Sequence, residues 1–434
     1  MGGSLSGLPR GAPFLTQAWI IANVSWLYIL AVAIILLMVV LLALSRYGEI
    51  KLGPDHSEPD YSYLTWFSML FSAGMGIGLM FWSVAEPVAY LNGQWYGTPL
   101  GVEAGSEEAR HMAMGATMYH WGLHPWAIYA IVALALALFA YNKGLPLTMR
   151  SIFYPLLGER VWGWPGHVID VLAVFATIFG LATSLGFGAE QATAGLNFLF
   201  GISNSNTTKI ILIVCITGIA TMSVVLGVEK GVKRLSEINM VLALVLLLFI
   251  IFFGPTIEIF RGFFGNLGAY ARELVPLSNP FGRSDDNFRQ GWTAFYWAWW
   301  IAWSPFVGMF IARISRGRTI REFVVGVLFV PAGFTFLWMT VFGNTAIALD
   351  LGEAHGAIAQ AVDANLSTAL FKFLAYLPGA GFTSALAITL VAVFFITSAD
   401  SGALVIDTLA SGGADETPRW QRVYWCLLLG VTAT

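Results

Sequence analysis

The feature that most constrains this chain is a series of long stretches without a single charged side chain. Between neighbouring Asp, Glu, Lys or Arg lie runs at 11–45, 61–85, 111–142, 171–189, 191–208, 210–228, 238–257, 290–312, 323–349 and 373–399, and another starts at Val423. About 20 mostly apolar residues let a helix cross a bilayer, and only helices or closed barrels satisfy their backbone there. The runs do not alternate with period two, which excludes a transmembrane β-barrel. Ser203 to Thr208 reads as a loop, so the runs flanking Glu190 merge into one helix of about 166–200. That predicts nine complete spans and the start of a tenth: an all-α polytopic membrane protein.

Composition agrees. Apolar residues make up 57% of the chain and charged residues 11%, against roughly 25% charged in soluble domains. The net charge of −3 leaves no basic surplus for nucleic acid. The only cysteines, Cys215 and Cys426, lie in apolar runs and suggest neither disulfides nor a zinc site. The first run is too long for a signal peptide and no small-residue cleavage site follows it. Alternate loops carry 14 of the 22 basic residues, most densely in SRGRTIREF at 315–323, and the positive-inside rule makes that side cytoplasmic. Segments 265–289 and 351–378 are too polar to span and read as amphipathic or re-entrant helices on the outer side.

Two spans depart from ordinary Leu/Val/Ile/Ala helices. Span 61–91 holds Gly74-Met75-Gly76-Ile77-Gly78. Each interior glycine costs a helix about 1 kcal/mol relative to Ala. Three at alternate positions predict either a tight packing seam or a discontinuous helix whose freed backbone faces a ligand. On the second reading Gly76→Ala hinders unwinding. Span 290–312 carries Trp292, Trp297, Trp299, Trp300 and Trp303, then Ser304-Pro305, which predicts a helix break. An aromatic belt at the membrane surface explains Trp292 and Trp297 but not Trp300 and Trp303. In span 113–141, His120-Trp121-Gly122-Leu123-His124-Pro125-Trp126 runs on to Tyr129. The i,i+4 histidines have metal-ligand spacing but no third ligand, and read as hydrogen-bonded packing residues. Converging Trp and Tyr faces suit a quaternary ammonium or another soft cation.

These stretches resemble the betaine/choline/carnitine transporter family, most closely its sodium-coupled glycine betaine members. The likeness rests on GMGIGLMFWSVAEP from Gly74, HWGLHPWAIY from His120, GVEKGVKRLSEINM from Gly227, YWAWWIAWSPFVGMFIARISRGRTIREF from Tyr296 and FFITSADSGALVIDTLASGG from Phe394. It implies two inverted five-helix repeats. Residues 1–60 would hold an extra helix and a cytoplasmic loop, 61–264 the first repeat, 265–289 an amphipathic connecting helix, and 290–434 the second repeat, truncated in its fourth helix. A first extra helix and the end of the second repeat would be lacking.

By the same resemblance, Trp121, Trp126, Tyr129, Trp299, Trp300 and Trp303 form the substrate's aromatic box, with Gly74, Met75, Gly76 and Gly78 beside it. A sodium site would use the carbonyls of Ser72, Met75 and Phe394 and the hydroxyls of Thr397 and Ser398, although read alone that pair bonds back to its own helix. A second sodium site would involve Thr177 and Phe306, but Leu181 stands where a second hydroxyl is needed, and Thr183 and Ser184 are out of register. Glu86, Glu190 and Asp400 are intramembrane acids and hence functional candidates, with Glu86 placed towards the outer vestibule. The expected function is import of glycine betaine or a similar zwitterion across the cytoplasmic membrane, by a homotrimer, with sodium as coupling ion and no cofactor. The alternatives are sodium-independent exchange of carnitine-like betaines and proton-coupled choline uptake. No catalytic cluster or nucleotide-binding loop is visible, so an enzyme is not expected.

Overall fold

The computed structural model describes residues 12–74, 76–226, 229–414 and 417–434. The chain is helical, and among the described residues its only β-pairing is an isolated bridge between Lys51 and Thr319. The helices that matter below are α1 (Ala12–Leu44), α2 (Tyr63–Gly74), α3 (Ile77–Asn92), α4 (Glu107–Trp121), α5 (Leu123–Ala137), α6 (Trp164–Phe200), α7 (Asn206–Leu226), α8 (Glu229–Phe253), α9 (Thr256–Ser278), α10 (Ala294–Ile314), α11 (Ile320–Met339), α12 (Ala380–Ala410) and α13 (Arg419–Ala433).

Among the described residues, six helical stretches are long and apolar enough to cross a membrane: Leu15–Leu44, Glu107–Asn142, Trp164–Phe200, Asn206–Ser223, Ile320–Leu351 and Ala380–Ala410. The pair Glu237–Phe253 and Thr256–Ser278, bent by 109°, makes a seventh at most. Two expected spans are not among them, each for a physical reason. Span 61–91 is split into α2 and α3, and α10 owes its low hydropathy to tryptophan. The merged α6 runs from Trp164 to Phe200 and keeps Glu190 inside it, paired with Lys209 at 2.6 Å. Large apolar side chains such as Leu37, Leu41, Phe175, Phe179 and Phe252 face outward, as a lipid-facing surface requires. Glu86, His120, His124 and Arg318 lie inside.

The segments expected on the outer side are helical but bounded differently from the sequence reading. The amphipathic α9 begins at Thr256, ahead of residue 265, because Pro255 stops α8 from continuing. It packs on α4 and on the π turn Thr340–Asn344, where Asn266 Nδ2 donates to Thr340 Oγ1 and Asn344 Oδ1, both at 3.1 Å. Segment 351–378 folds as the short helices Ala357–Ala364 and Ala369–Leu374 against α3.

The break expected at Ser304-Pro305 does not occur, and α10 runs through both residues. Pro305 lacks the N–H that would bond the carbonyl of Ile301, but Ser304 Oγ donates to that same oxygen at 2.8 Å. The freed acceptor is filled and the helix persists.

The basic stretch 315–323 does more than set orientation. The Arg318 guanidinium carbon lies 4.3 Å from the ring centres of both Tyr63 and Trp66. Trp66 Nε1 donates to Ser315 Oγ at 3.0 Å, and Tyr63 hydrogen-bonds Glu322. Glu322 and Thr319 form a capping box at the start of α11, closing two orphan backbone donors. The first turns of α2 are thereby clasped to the α10–α11 loop.

Candidate functional site

The glycine-rich stretch is a true interruption. α2 ends at Gly74, α3 starts at Ile77, and between them Gly76 is extended at φ −170°, ψ 178°. Helix geometry leaves the carbonyls of the last α2 turn, Ser72 and Gly74 among them, and the first N–H groups of α3 without intrahelical partners. No side chain caps the start of α3. Met75, expected to supply a carbonyl and a side chain, lies outside the described residues.

That interruption opens onto a cavity of about 60 Å³. In this measure a water needs roughly 10–15 Å³, so the space suits a compact head group of a few heavy atoms. Gly76, Ile77, Gly78 and Leu79 form one wall, and all six expected aromatics, Trp121, Trp126, Tyr129, Trp299, Trp300 and Trp303, form the others. Trp299 and Trp300 stack with centroids 4.6 Å apart and planes at 13°. Trp121 stands across Trp300 at 4.9 Å and 73°, and Tyr129 across it at 6.4 Å and 81°. Trp126 meets Tyr129 edge-on at 5.4 Å. The rings therefore present faces from several directions, the geometry that attracts a desolvated cation. Two of the polar edges are held, Trp300 Nε1 donating to His120 O at 2.9 Å and Trp303 Nε1 to Gly180 O at 2.7 Å, while the buried Trp299 Nε1 has no partner among the described residues.

The glycines of the break are not equivalent. A Cβ on Gly78 would lie 2.9 Å from ring atoms of both Trp121 and Trp299, whereas one on Gly76 would meet nothing within 4 Å. Gly76 is also extended, a conformation open to any residue, so neither space nor backbone conformation requires glycine there. Gly78 is the glycine the box needs, for room as much as for lack of charge.

Glu86 is not at an outer vestibule. Its carboxylate is fully buried behind the box. Oε2 accepts from Trp121 Nε1 at 2.6 Å and from Tyr296 OH at 2.5 Å, and Oε1 lies 3.1 Å from His120 Nδ1. The two histidines sit on different helices, separated at Gly122. His120 Nε2 meets Thr293 Oγ1 and His124 Nε2 meets Ser278 Oγ, each at 3.0 Å. Trp292 and Trp297 form no surface belt: both are buried, and Trp297 stacks on His124 at 5.5 Å. Their spacing matched a belt, but Trp292 packs among Trp82, Tyr90, Trp95 and Tyr96, and Trp297 among Tyr119, His120 and His124.

Of the ion-site candidates, Ser398 shares the cavity wall with Gly76. Thr397 Oγ1 bonds back to Val393 O at 3.0 Å and Phe394 O at 3.2 Å. Around the second position, Thr177 Oγ1 bonds back to Ala173 O at 2.8 Å, and Phe306 stands edge-on to Trp303 at 5.5 Å. Leu181 is fully buried against α12, where a Cβ on Gly402 would come within 2.4 Å of its Cδ1. Thr183 is on the exposed face, bonded to Phe179 O at 2.9 Å, and cannot turn inward to replace the hydroxyl. Ser184 instead lines the cavity, and its buried Oγ has no partner among the described residues. Sequence reasoning weighed Ser184 only as an out-of-register hydroxyl for the second ion position and gave no role to Thr335 or Tyr296. Tyr296 was inside a quoted motif, and Ser184 lies one turn beyond Gly180, so the signal was present but not used.

The profile of the betaine/carnitine/choline family of transporters matches residues 14–434. The chain belongs to this family. A glycine betaine/proline/choline transporter of Vibrio parahaemolyticus is 52% identical, the match covering 96% of this chain and 77% of the relative. A second Vibrio parahaemolyticus protein, glycine betaine transporter 1, is 54% identical over 95% of this chain and 79% of its own length. A glycine betaine transporter of Acinetobacter baylyi is 48% identical, covering 97% and 64%. The chain is thus a multi-pass membrane transporter and not an enzyme, and the cavity of the family member described here lies where its helix is broken.

Proposed function

We propose that this transporter imports glycine betaine or a closely similar zwitterion, coupled to sodium. The observation that carries the reading is the single cavity bounded by six aromatic rings on some sides and by the uncapped start of α3 on another. Ring faces suit a trimethylammonium group. Free N–H groups at a helix start, with Ser184 Oγ beside them, suit a carboxylate. Among the described residues no Lys, Arg, Asp or Glu lines the cavity, so a zwitterion is favoured over choline, which would leave a net charge unmatched. Glycine betaine is in the names of both Vibrio parahaemolyticus relatives, one of which is named for proline and choline as well.

For sodium, the supports are hard oxygen donors near the break: the terminal carbonyls of α2 around Ser72 and the Ser398 hydroxyl on the cavity wall. Leu181 and the outward Thr183 leave the position near Thr177 and Phe306 poor in oxygen, so one sodium per cycle is the favoured stoichiometry. The broken α2–α3 and the Trp-rich α10 would each open one of two inverted repeats, at about 61 and 290, with α9 as the connecting helix at a trimer contact. The loops around 46–51 and 313–322 would face the cytoplasm, across the cytoplasmic membrane.

Uptake of labelled betaine into proteoliposomes tests the proposal. A sodium gradient should drive it with a Hill coefficient near one, and potassium should not replace sodium. Trp300→Ala should weaken betaine binding by about 2 kcal/mol, roughly thirtyfold. Uptake indifferent to sodium removes the coupling, and unaltered affinity in a folded Trp300→Ala protein removes the box.

A further inference from the structure

Behind the box lies a cluster that the transport reading leaves without a task. Glu86 has no exposed surface, and burying a carboxylate is costly unless donors surround it. Here they do, and they come from both walls of the cavity. Trp121, from α4, gives its indole N–H to Oε2, and Tyr296, from α10, gives its hydroxyl to the same oxygen. Tyr296 in turn stacks on Trp299 at 6.2 Å and 29° and on Trp300 at 5.9 Å and 28°. Oε1 faces His120 Nδ1, which Tyr90 OH also approaches at 2.8 Å. The carboxylate itself rides on α3, eight residues beyond Gly78, a distance of about 12 Å at the rise of an α-helix.

We infer that Glu86 is a positioning residue: one carboxylate on the half-helix beyond the glycine break fixes the Trp121 ring and the Tyr296 ring that backs Trp299 and Trp300. Both walls are bonded to one atom on the element whose start forms the cavity floor. A shift of α3 therefore moves the box walls with it. Without the acceptor, the Trp121 N–H and the Tyr296 hydroxyl are left buried and unpartnered, and each ring turns to find another acceptor. Glutamine keeps the shape. Its carbonyl oxygen takes both donors, and with the imidazole proton on Nε2, donated to Thr293 Oγ1, its amide shares the acceptor at His120 Nδ1 with the Tyr90 hydroxyl.

The inference takes the cavity as the substrate site, as proposed above, but its first test needs no substrate. In full-length protein labelled with 5-fluorotryptophan, the Trp121 ¹⁹F line is assigned by its loss in Trp121→Phe. Glu86→Ala should shift or broaden that line and leave the Trp126 line in place, and Glu86→Gln should bring it back near its original position. A Trp121 line unmoved in Glu86→Ala overturns the inference, whatever the substrate is. The second test is betaine uptake. Glu86→Ala should raise KM about tenfold with a smaller change in maximal rate, Glu86→Gln should recover most of it, and Glu86→Ala should add little in a Trp121→Ala background. Additive effects, or a Gln variant as impaired as Ala, overturn it. If Glu86→Ala does not fold, Tyr296→Phe, which removes one donor and no volume, should move the Trp121 line and raise KM severalfold. No change in either then overturns the inference.

Discussion

The α2–α3 break and the middle of α10 were expected to behave alike, and they do opposite things. Both carry residues that disfavour helix, and both border the same cavity. α10 stays whole because Ser304 supplies a hydroxyl to the one carbonyl that Pro305 abandons. The glycine stretch offers no hydroxyl or other hydrogen-bonding side chain of its own, and no side chain caps the start of α3 where it borders the cavity. A helix in lipid thus breaks not where the helix former is weakest but where the liberated backbone lacks a local partner and borders polar space.

Three substitutions press on this contrast. The largest effect is expected from Gly78→Ala. Its Cβ would push Trp121 and Trp299 apart, an overpacking cost of about 1–3 kcal/mol, and betaine affinity should fall about tenfold to a hundredfold. Fluorescence titration checks it, and unchanged affinity would mean the rings close without needing the gap. Ser304→Ala comes next. It leaves the Ile301 carbonyl without its hydroxyl partner, and stability should drop by about 1–3 kcal/mol, read as earlier unfolding in detergent. If stability is unchanged, the hydroxyl is not what carries α10 past its proline. The smallest effect belongs to Gly76→Ala, where a methyl group enters open space on an extended residue. Uptake should stay within about twofold. A large loss there would show that the break needs glycine flexibility at 76 during transport, and would erase the distinction between the two glycines.

The same contrast marks what could be read from the residues. The six ring positions were legible because aromatic type and motif spacing specify which helix faces carry them. The break was legible because three alternate glycines have few other uses. Which of the glycines matters was not, since that depends on ring atoms arriving from α4 and α10. The depth of Glu86 was also hidden: neighbouring Pro87 suggests a helix end, yet α3 runs through it to Asn92. The continuity of α10 could have been anticipated, because a serine immediately before a proline can reach the abandoned carbonyl. Thr397 illustrates the reverse. Its motif suggested an ion ligand, and its hydroxyl bonds to its own helix, as the residue alone would indicate.

Leu181 and Gly402 form a knob and its hole between α6 and α12, and the fit is too close for either to vary alone. Restoring a hydroxyl at 181 is therefore not a point change. Threonine there would empty the volume that leucine fills over Gly402, and a larger residue at 402 would have no room until leucine is gone. If the proposed one-sodium cycle holds, its ion count would rest on this pair of apolar surfaces as much as on oxygen ligands, and a variant with a different count would have to arrive as a matched exchange on two helices.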